Sequence, residues 1–254
     1  MSYYIYIGLL VVITLLGCFT WWGTAKRPNR YGRYMKDNQK NTVPERIGWL
    51  MFEAPQWFSF ALFFWLTAAQ TNLNAATFVL FGLWQCHYFY RALIYPLRMK
   101  SEGKRLPKET IYFGVFFNSA NGFVNAYAIG HAEHLMSADW LNDPRFMIGL
   151  AVAVFGWIIN FHSDSVLVNL RKPGETGYKI PHGGMFRFIS AANYFGEIVL
   201  WCGWAIMSWT PAGLVFAFFT IANLAPRAIS HHRWYKNTFP EYPINRKALI
   251  PWVV

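Results

Sequence analysis

Ionisable and amide side chains interrupt long apolar runs at regular intervals. Asn160 and Asp164, Asn193 and Glu197, and the series Asn223, Arg227, His231 and Tyr235 each repeat every four residues. That spacing puts each set on one face of an α-helix. Earlier apolar runs carry Glu53 and Gln56, then His87, Tyr88 and Arg91, then Asn118, Asn121 and Asn125. In hydrocarbon such groups are costly unless paired or solvated, so they mark either a site or polar helix contacts. For any single amide, an interhelical bond competes evenly, and an Arg227–Glu197 pair would be of that kind. Three stripes on consecutive segments beside basic loops favour a ligand site. Carboxyl, phenol and imidazole groups can share or move a proton. Amide and guanidinium groups suit a polar, anionic partner.

The elements that position these residues are apolar helices. The 254 residues are 55% hydrophobic, 20% aromatic and only 14% charged, against about 25% charged in soluble domains. Thirteen Trp and fourteen Tyr suit a bilayer interface, where amphipathic rings satisfy both phases. Seven segments are long and apolar enough to cross a membrane: 3–22, 47–69, 75–97, 110–131, 146–168, 189–209 and 211–234, each near the roughly 20 residues a helix needs. The last two are joined by a tight turn at Thr210-Pro211. Residues 3–22 lack a basic leader and a small-residue cleavage site, so they are expected to be a retained span. Cys18, Cys86 and Cys202 lie in apolar stretches without ligand spacing. They are expected to be small buried hydrophobes, with no disulfide and no metal.

The net charge of +11 sits between the apolar runs, which argues for topology and against a nucleic-acid partner. One set of connections holds Lys26, Arg27, Arg30, Arg33, Lys36, Lys40 and Arg46; Arg98, Lys100, Lys104, Arg105 and Lys108; Arg171, Lys172, Lys179 and Arg187; and Arg233, Lys236, Arg246 and Lys247. The alternate connections hold Arg145 alone, so the balance is twenty to one. The positive-inside rule then places the N-terminus outside and the C-terminus in the cytosol. The expected fold is an all-α, seven-helix membrane protein forming one domain over 1–254. Its polar residues fall at mid-depth or on the cytosolic side. The loops Arg171-Lys172-Pro173-Gly174-Glu175 and Pro181-His182-Gly183-Gly184 offer tight backbone and forked donors for phosphate. No Gly-x-Gly-x-x-Gly and no Walker loop occurs. A phosphate-bearing nucleotide entering from the cytosol fits this pattern.

Several of these segments resemble the steroid 5α-reductase family. They are Asn160-Phe-His-Ser-Asp164 through Leu170-Arg-Lys-Pro-Gly-Glu175, Tyr178-Lys-Ile-Pro-His-Gly-Gly184, Asn193-Tyr-Phe-Gly-Glu197, His231-His-Arg-Trp-Tyr235 and Tyr242-Pro to Arg246-Lys-Ala-Leu-Ile-Pro251. Glu53-Ala-Pro and His87-Tyr-Phe-Tyr-Arg91 fit the same pattern, and the likeness runs from about residue 47 onward. Lys179 departs from it, standing where an Arg is common. The resemblance implies a bacterial-type member that reduces the Δ4 double bond of 3-oxo steroids with NADPH in a seven-helix fold. It implies cofactor binding by Asn160, Asp164, Arg171, Tyr178, Asn193, Glu197, Arg227, His231, Tyr235 and Arg246. It matches Glu53 and Tyr88 to the pair that grips the substrate's 3-keto oxygen. Residues 1–131 would then form the substrate side and 146–254 the cofactor side.

Reduction of an enone builds negative charge on the carbonyl oxygen, and donors placed there stabilise the transition state. Tyr88 can donate its phenol proton, and Glu53 can donate only when protonated, so Glu53 is expected to be neutral with substrate bound. Partners would be a hydrophobic steroid-like substrate and membrane lipid, with a monomer sufficient, in a bacterial inner membrane or endoplasmic reticulum. Rival readings are an enoyl thioester or polyprenol reductase on the same scaffold, and a membrane methyltransferase using S-adenosylmethionine. A transporter is a further rival, opposed by polar residues that favour one side and line no path across.

Overall fold

The computed structural model describes residues 2–26, 32–35, 39–71, 73–172, 174–175 and 177–254. Arg27, Arg30, Lys36 and Pro173, named above, lie outside the described residues. Helices dominate: α1 (Ser2–Lys26), α2 (Glu45–Thr71), α3 (Ala75–Phe89), α4 (Tyr95–Arg98), α5 (Lys108–His131), α6 (Pro144–Asn169), α7 (Ala192–Ser208) and α8 (Pro211–Thr238). A single π-turn, Tyr90–Ile94, joins α3 to α4. With that pair counted as one rod, the helices follow the seven expected segments. Among the described residues three of them, Tyr3–Lys26, Pro144–Asn169 and Pro211–Thr238, are long and apolar enough to cross a membrane. Of the rest, α7 has only 17 residues, and α3 ends at the π-turn.

Helix packing sets where the polar stripes meet. α6 lies along α7, α2 along α5, and α1 along α8. The α6–α7 contact is backbone on backbone. A Cβ on Gly156 would stand 2.3 Å from the Leu200 nitrogen, and one on Gly196 would stand 2.4 Å from the Asn160 nitrogen. Only small residues permit that approach, as at many helix contacts in membranes. The aromatic core lies between the helices, around Phe60, Trp84, Trp201, Trp204 and Phe216, with Trp84 stacked 4.3 Å from Phe60.

Two features depart from the all-α expectation. A short antiparallel ribbon pairs β1 (Thr42–Pro44) with β2 (Arg105–Pro107). Each strand runs straight into a helix, α2 and α5 respectively, so the ribbon starts both helices at one level. Ribbons of three residues leave no period in the sequence to detect. The second departure is the start of α7 at Ala192, not residue 189. The backbone N–H groups of Ser190 and Ala191 donate to Lys247 and Ala248 carbonyls at 2.9 and 3.2 Å, so this stretch is tied to the C-terminal segment before the helix begins. The turn between α7 and α8 is as expected. Trp209 adopts φ 49°, Thr210 Oγ1 accepts from the Gly213 N–H at 3.1 Å, and Pro211 opens the helix. One expectation fails outright, since Cys18 and Cys86 are exposed. Both sit on outer helix faces, where lipid would supply the apolar surroundings that protein does not.

Candidate functional site

A cavity of about 370 Å³ opens among the ends of α2, α6, α7 and α8 and the π-turn. Its wall is built from the π-turn outward. Pro96 has no N–H, so a regular helix would leave the Ala92 carbonyl without its donor and press the ring against it. The chain inserts one residue instead: the Tyr95 N–H reaches back to the Tyr90 carbonyl. In this wider register the carbonyl orphaned by Pro96 is that of Arg91, and Trp49 Nε1 donates to it at 3.2 Å. π-turns recur at functional sites, and this one aims Arg91 into the cavity wall. Its guanidinium donates from Nη2 to Glu53 Oε1 at 3.3 Å and from Nη1 to Asp164 Oδ2 at 3.2 Å. All three side chains are buried. The rings of Trp49 and Tyr95 cover the guanidinium faces at 5.1 and 4.9 Å.

The close α6–α7 contact supplies the adjoining wall. Asn160 Nδ2 donates to the Asn193 carbonyl at 3.0 Å, and Asn193 Nδ2 donates to Asp164 Oδ1 at 3.3 Å. Glu197 lines the cavity one turn beyond. α8 adds Asn223, Arg227, His231 and Tyr235, with Arg227 Nη1 donating to Asn223 Oδ1 at 3.4 Å. His231 bridges two phenols, Nδ1 with Tyr34 at 3.2 Å and Nε2 with Tyr194 at 3.2 Å. Over the mouth, Arg33 stacks on Trp234, Tyr235 and Tyr178 at 4.4, 4.8 and 4.9 Å.

The mouth itself is basic. Lys100, Lys104, Arg171 and Lys179 line it with Tyr178, and Lys100 Nζ donates to the Arg171 carbonyl. Burial holds the Lys104 ammonium below its ordinary value and pushes the Tyr178 phenol up. A second cavity of about 300 Å³ continues outward past Arg171 to Lys172 and Glu175.

Of the residues singled out from sequence, Glu53, Asp164, Arg171, Tyr178, Asn193, Glu197, Arg227, His231 and Tyr235 share this one cavity. Of the residues to which the resemblance gives a role, three stand outside its lining. Asn160 is buried behind it, holding the start of α7 through the Asn193 carbonyl. Arg246 is buried in the C-terminal segment, with its guanidinium 5.2 Å from the Tyr242 ring and Nη2 3.4 Å from His182 Nδ1. Tyr88 packs into the aromatic core, 5.2 Å from Trp84 and 5.7 Å from Trp201. Arg91 joins the site without an expected role, although an arginine in an apolar run is itself a signal. Trp49, Tyr95 and Tyr194 carry no such signal, because aromatic residues are too common in this chain to stand out.

Known proteins resemble the chain over most of its length. Residues 104–254 match the family model described as 3-oxo-5-alpha-steroid 4-dehydrogenase. The chain is 40% identical over 239 residues to 3-oxo-5-alpha-steroid 4-dehydrogenase 1 of Homo sapiens, covering 94% of this chain and 91% of that protein. It is 38% identical over 230 residues to 3-oxo-5-alpha-steroid 4-dehydrogenase 2 of Sus scrofa, covering 89% and 88%. It is 35% identical over 249 residues to steroid 5-alpha-reductase DET2 of Gossypium hirsutum, covering 96% and 95%. With the likeness running through both the cavity wall on α2 and the stripes on α6 to α8, the chain is an oxidoreductase of the 3-oxo-5-alpha-steroid 4-dehydrogenase family.

Proposed function

We propose that the protein reduces the Δ4 double bond of a 3-oxo steroid, or a similar hydrophobic enone, to the 5α product with NADPH. It does so as a seven-span membrane protein with its C-terminus in the cytosol, one domain whose first helices face the substrate and whose last three hold the cofactor. The observation that carries this reading is the single cavity joining a buried carboxyl, Glu53, to the polar stripes and the basic mouth.

The donor set fits the cofactor. Arg171, Lys100 and Lys104 at the mouth suit phosphates, since forked and ammonium donors both take that anion. Asn193, Arg227, His231 and Tyr235 deeper in the cavity suit a neutral hydrogen-bonding end. Among the described residues, buried Arg246 keeps Nε and Nη1 without partners, which suits a further polar group beside the C-terminal segment. Bound there, a nicotinamide would supply a hydride for the β-carbon of the enone.

The protein's own part is positioning and charge stabilisation. Glu53 donates to the carbonyl oxygen as it gains charge, which lowers the barrier because the bond strengthens in the transition state. Tyr88, packed in the aromatic core and within electrostatic reach of Glu53, completes that pair. The bundle excludes water, which keeps the reductant from being wasted. A greasy substrate reaches such a site from the bilayer and a water-soluble cofactor from the cytosol.

The test is NADPH oxidation by detergent-solubilised protein with a Δ4-3-oxo steroid, with product stereochemistry determined. Glu53→Gln is expected to keep part of the activity, because its amide still donates, and Glu53→Ala to lose about 100-fold or more. Full activity in Glu53→Ala would remove Glu53 from the mechanism. Turnover of an enoyl thioester or polyprenol with none of a steroid would move the reaction to another substrate on the same scaffold.

A further inference from the structure

Among the described residues Arg91 is the one cation in direct contact with both Glu53 and Asp164, and those carboxyls come from different helices, α2 and α6. The contacts are asymmetric. Asp164 accepts from Arg91 on Oδ2 and from Asn193 on Oδ1, so both its oxygens are satisfied. Glu53 accepts from Arg91 on Oε1, and its other oxygen is left to the cavity that Glu53 lines. Glu197 and the Tyr95 phenol also face the guanidinium, and Tyr88 faces Glu53.

Buried charge must balance nearly locally, because an uncompensated ion in a low-dielectric interior is very costly. One guanidinium in direct contact with two buried carboxyls balances one negative charge of the two. The carboxyl with two donors, Asp164, is the better seat for charge, since hydrogen bonds to the ionised form favour it. Glu53 is then the carboxyl that retains its proton. Its Oε1 accepts from Arg91 as a carbonyl oxygen would, which fixes the proton on Oε2, the side turned to the cavity.

We infer that Arg91 is a positioning residue: paired with ionised Asp164, it holds Glu53 as a neutral acid with its proton aimed into the cavity. It acts through Glu53 and touches no reacting atom. The charge arrangement stands independently of the reaction; its catalytic consequence rests on the reading above. Two structural details serve this end. The π-turn points Arg91 inward, and the Trp49 and Tyr95 rings keep the guanidinium planar face covered while its edge reaches both carboxyls.

The test uses full-length protein in detergent or nanodiscs, with Glu53→Gln, Asp164→Asn, their double variant, and Arg91→Lys. Infrared spectroscopy reads the protonated carboxyl directly. The wild type is expected to show a carboxylic-acid C=O band that disappears in Glu53→Gln. It should disappear also in Asp164→Asn, where Glu53 must take over the negative charge. Thermal unfolding reads the pairing: either single variant leaves Arg91 one of its two contacting anions, and the double variant removes both, so the fall in Tm should exceed the sum of the two. Arg91→Lys keeps the charge without the fork, and should lower kcat at least tenfold while NADPH affinity stays within about threefold.

Survival of the acid band in Glu53→Gln, or an additive Tm cycle, would overturn the inference. So would a wild-type kcat in Arg91→Lys. Should the double variant fail to fold, the infrared comparison and Arg91→Lys still decide. Should the wild type reduce no steroid at all, the reaction assignment falls, and the acid band and Tm cycle still judge the charge arrangement.

Discussion

Gly156→Ala is the sharpest test of how the site is held. The added Cβ would lie 2.3 Å from the Leu200 nitrogen, 2.7 Å from the Gly196 oxygen and 2.8 Å from the Leu200 Cα. All three are backbone atoms, so no side chain can swing aside. Ordinary contact starts at 3.4 Å, and reaching it requires α6 and α7 to part by about 1 Å. The Asn160–Asn193 and Asn193–Asp164 bonds, now 3.0 and 3.3 Å, would then stretch to about 4 Å and cease to be hydrogen bonds. Overpacking costs about 1–3 kcal/mol, and two lost bonds about 0.5–1.5 kcal/mol each. The total is about 2–6 kcal/mol, read as a Tm lower by at least about 5 °C. Affinity for the proposed cofactor NADPH, followed by nicotinamide fluorescence, should fall about tenfold or more, because groups in the cavity wall move by a bond-breaking distance. Gly82→Ala is the control: it sits in α3 with nothing within 4 Å of its Cβ, and both readouts should stay at wild-type values. A wild-type Tm together with wild-type affinity in Gly156→Ala would refute the claim that this backbone contact sets the site.

Two further outcomes follow from the geometry. Pro96→Ala restores an N–H that lets the chain close regular helical bonds, which turns Arg91 away from Glu53 and Asp164; activity should fall about tenfold or more with far-UV circular dichroism unchanged, and full activity would show that the π-turn is not needed to aim Arg91. The Arg145 guanidinium, hydrogen-bonded to Asp143 at the start of α6, holds that carboxyl down at about 2 against an ordinary 3.8. Asp143 therefore stabilises the fold fully above roughly pH 4, and its contribution is lost as pH falls toward about 2. Asp143→Asn should flatten the fall of Tm across that window, and an unchanged acid profile would remove Asp143 from it.

Helices and stripes were legible because each rests on a single period. Four-residue spacing placed Asn223, Arg227, His231 and Tyr235 on one face, and all four line the cavity. The ends of elements were less legible, because long-range partners decide them. Nothing near Ile189 announces that Lys247 and Ala248 will occupy the next two backbone N–H groups. Arg91 illustrates a different limit. Its burial cost was readable from the apolar run around it, while its partners lie on α2 and α6, brought together only by packing. Tyr88 was placed by family likeness and stands behind the cavity wall, a difference of side-chain depth that spacing along one helix does not record.

The packing of α1 on α8 has a consequence for synthesis. Within this chain α1 leaves the ribosome well before α8; it buries Tyr6, Leu10 and Ile13, and its Gly17 fits against Phe218 of α8. Between the end of α1 at Lys26 and the start of α8 at Pro211 most of the chain must still be made. At 5–20 residues per second that is a wait of about 10–40 s. Throughout it α1 lacks its principal neighbour, so the bilayer and the insertion machinery must shelter it. A chain cut short before Pro211 leaves α1 without that neighbour and its face toward α8 uncovered, however soundly the helices between have assembled.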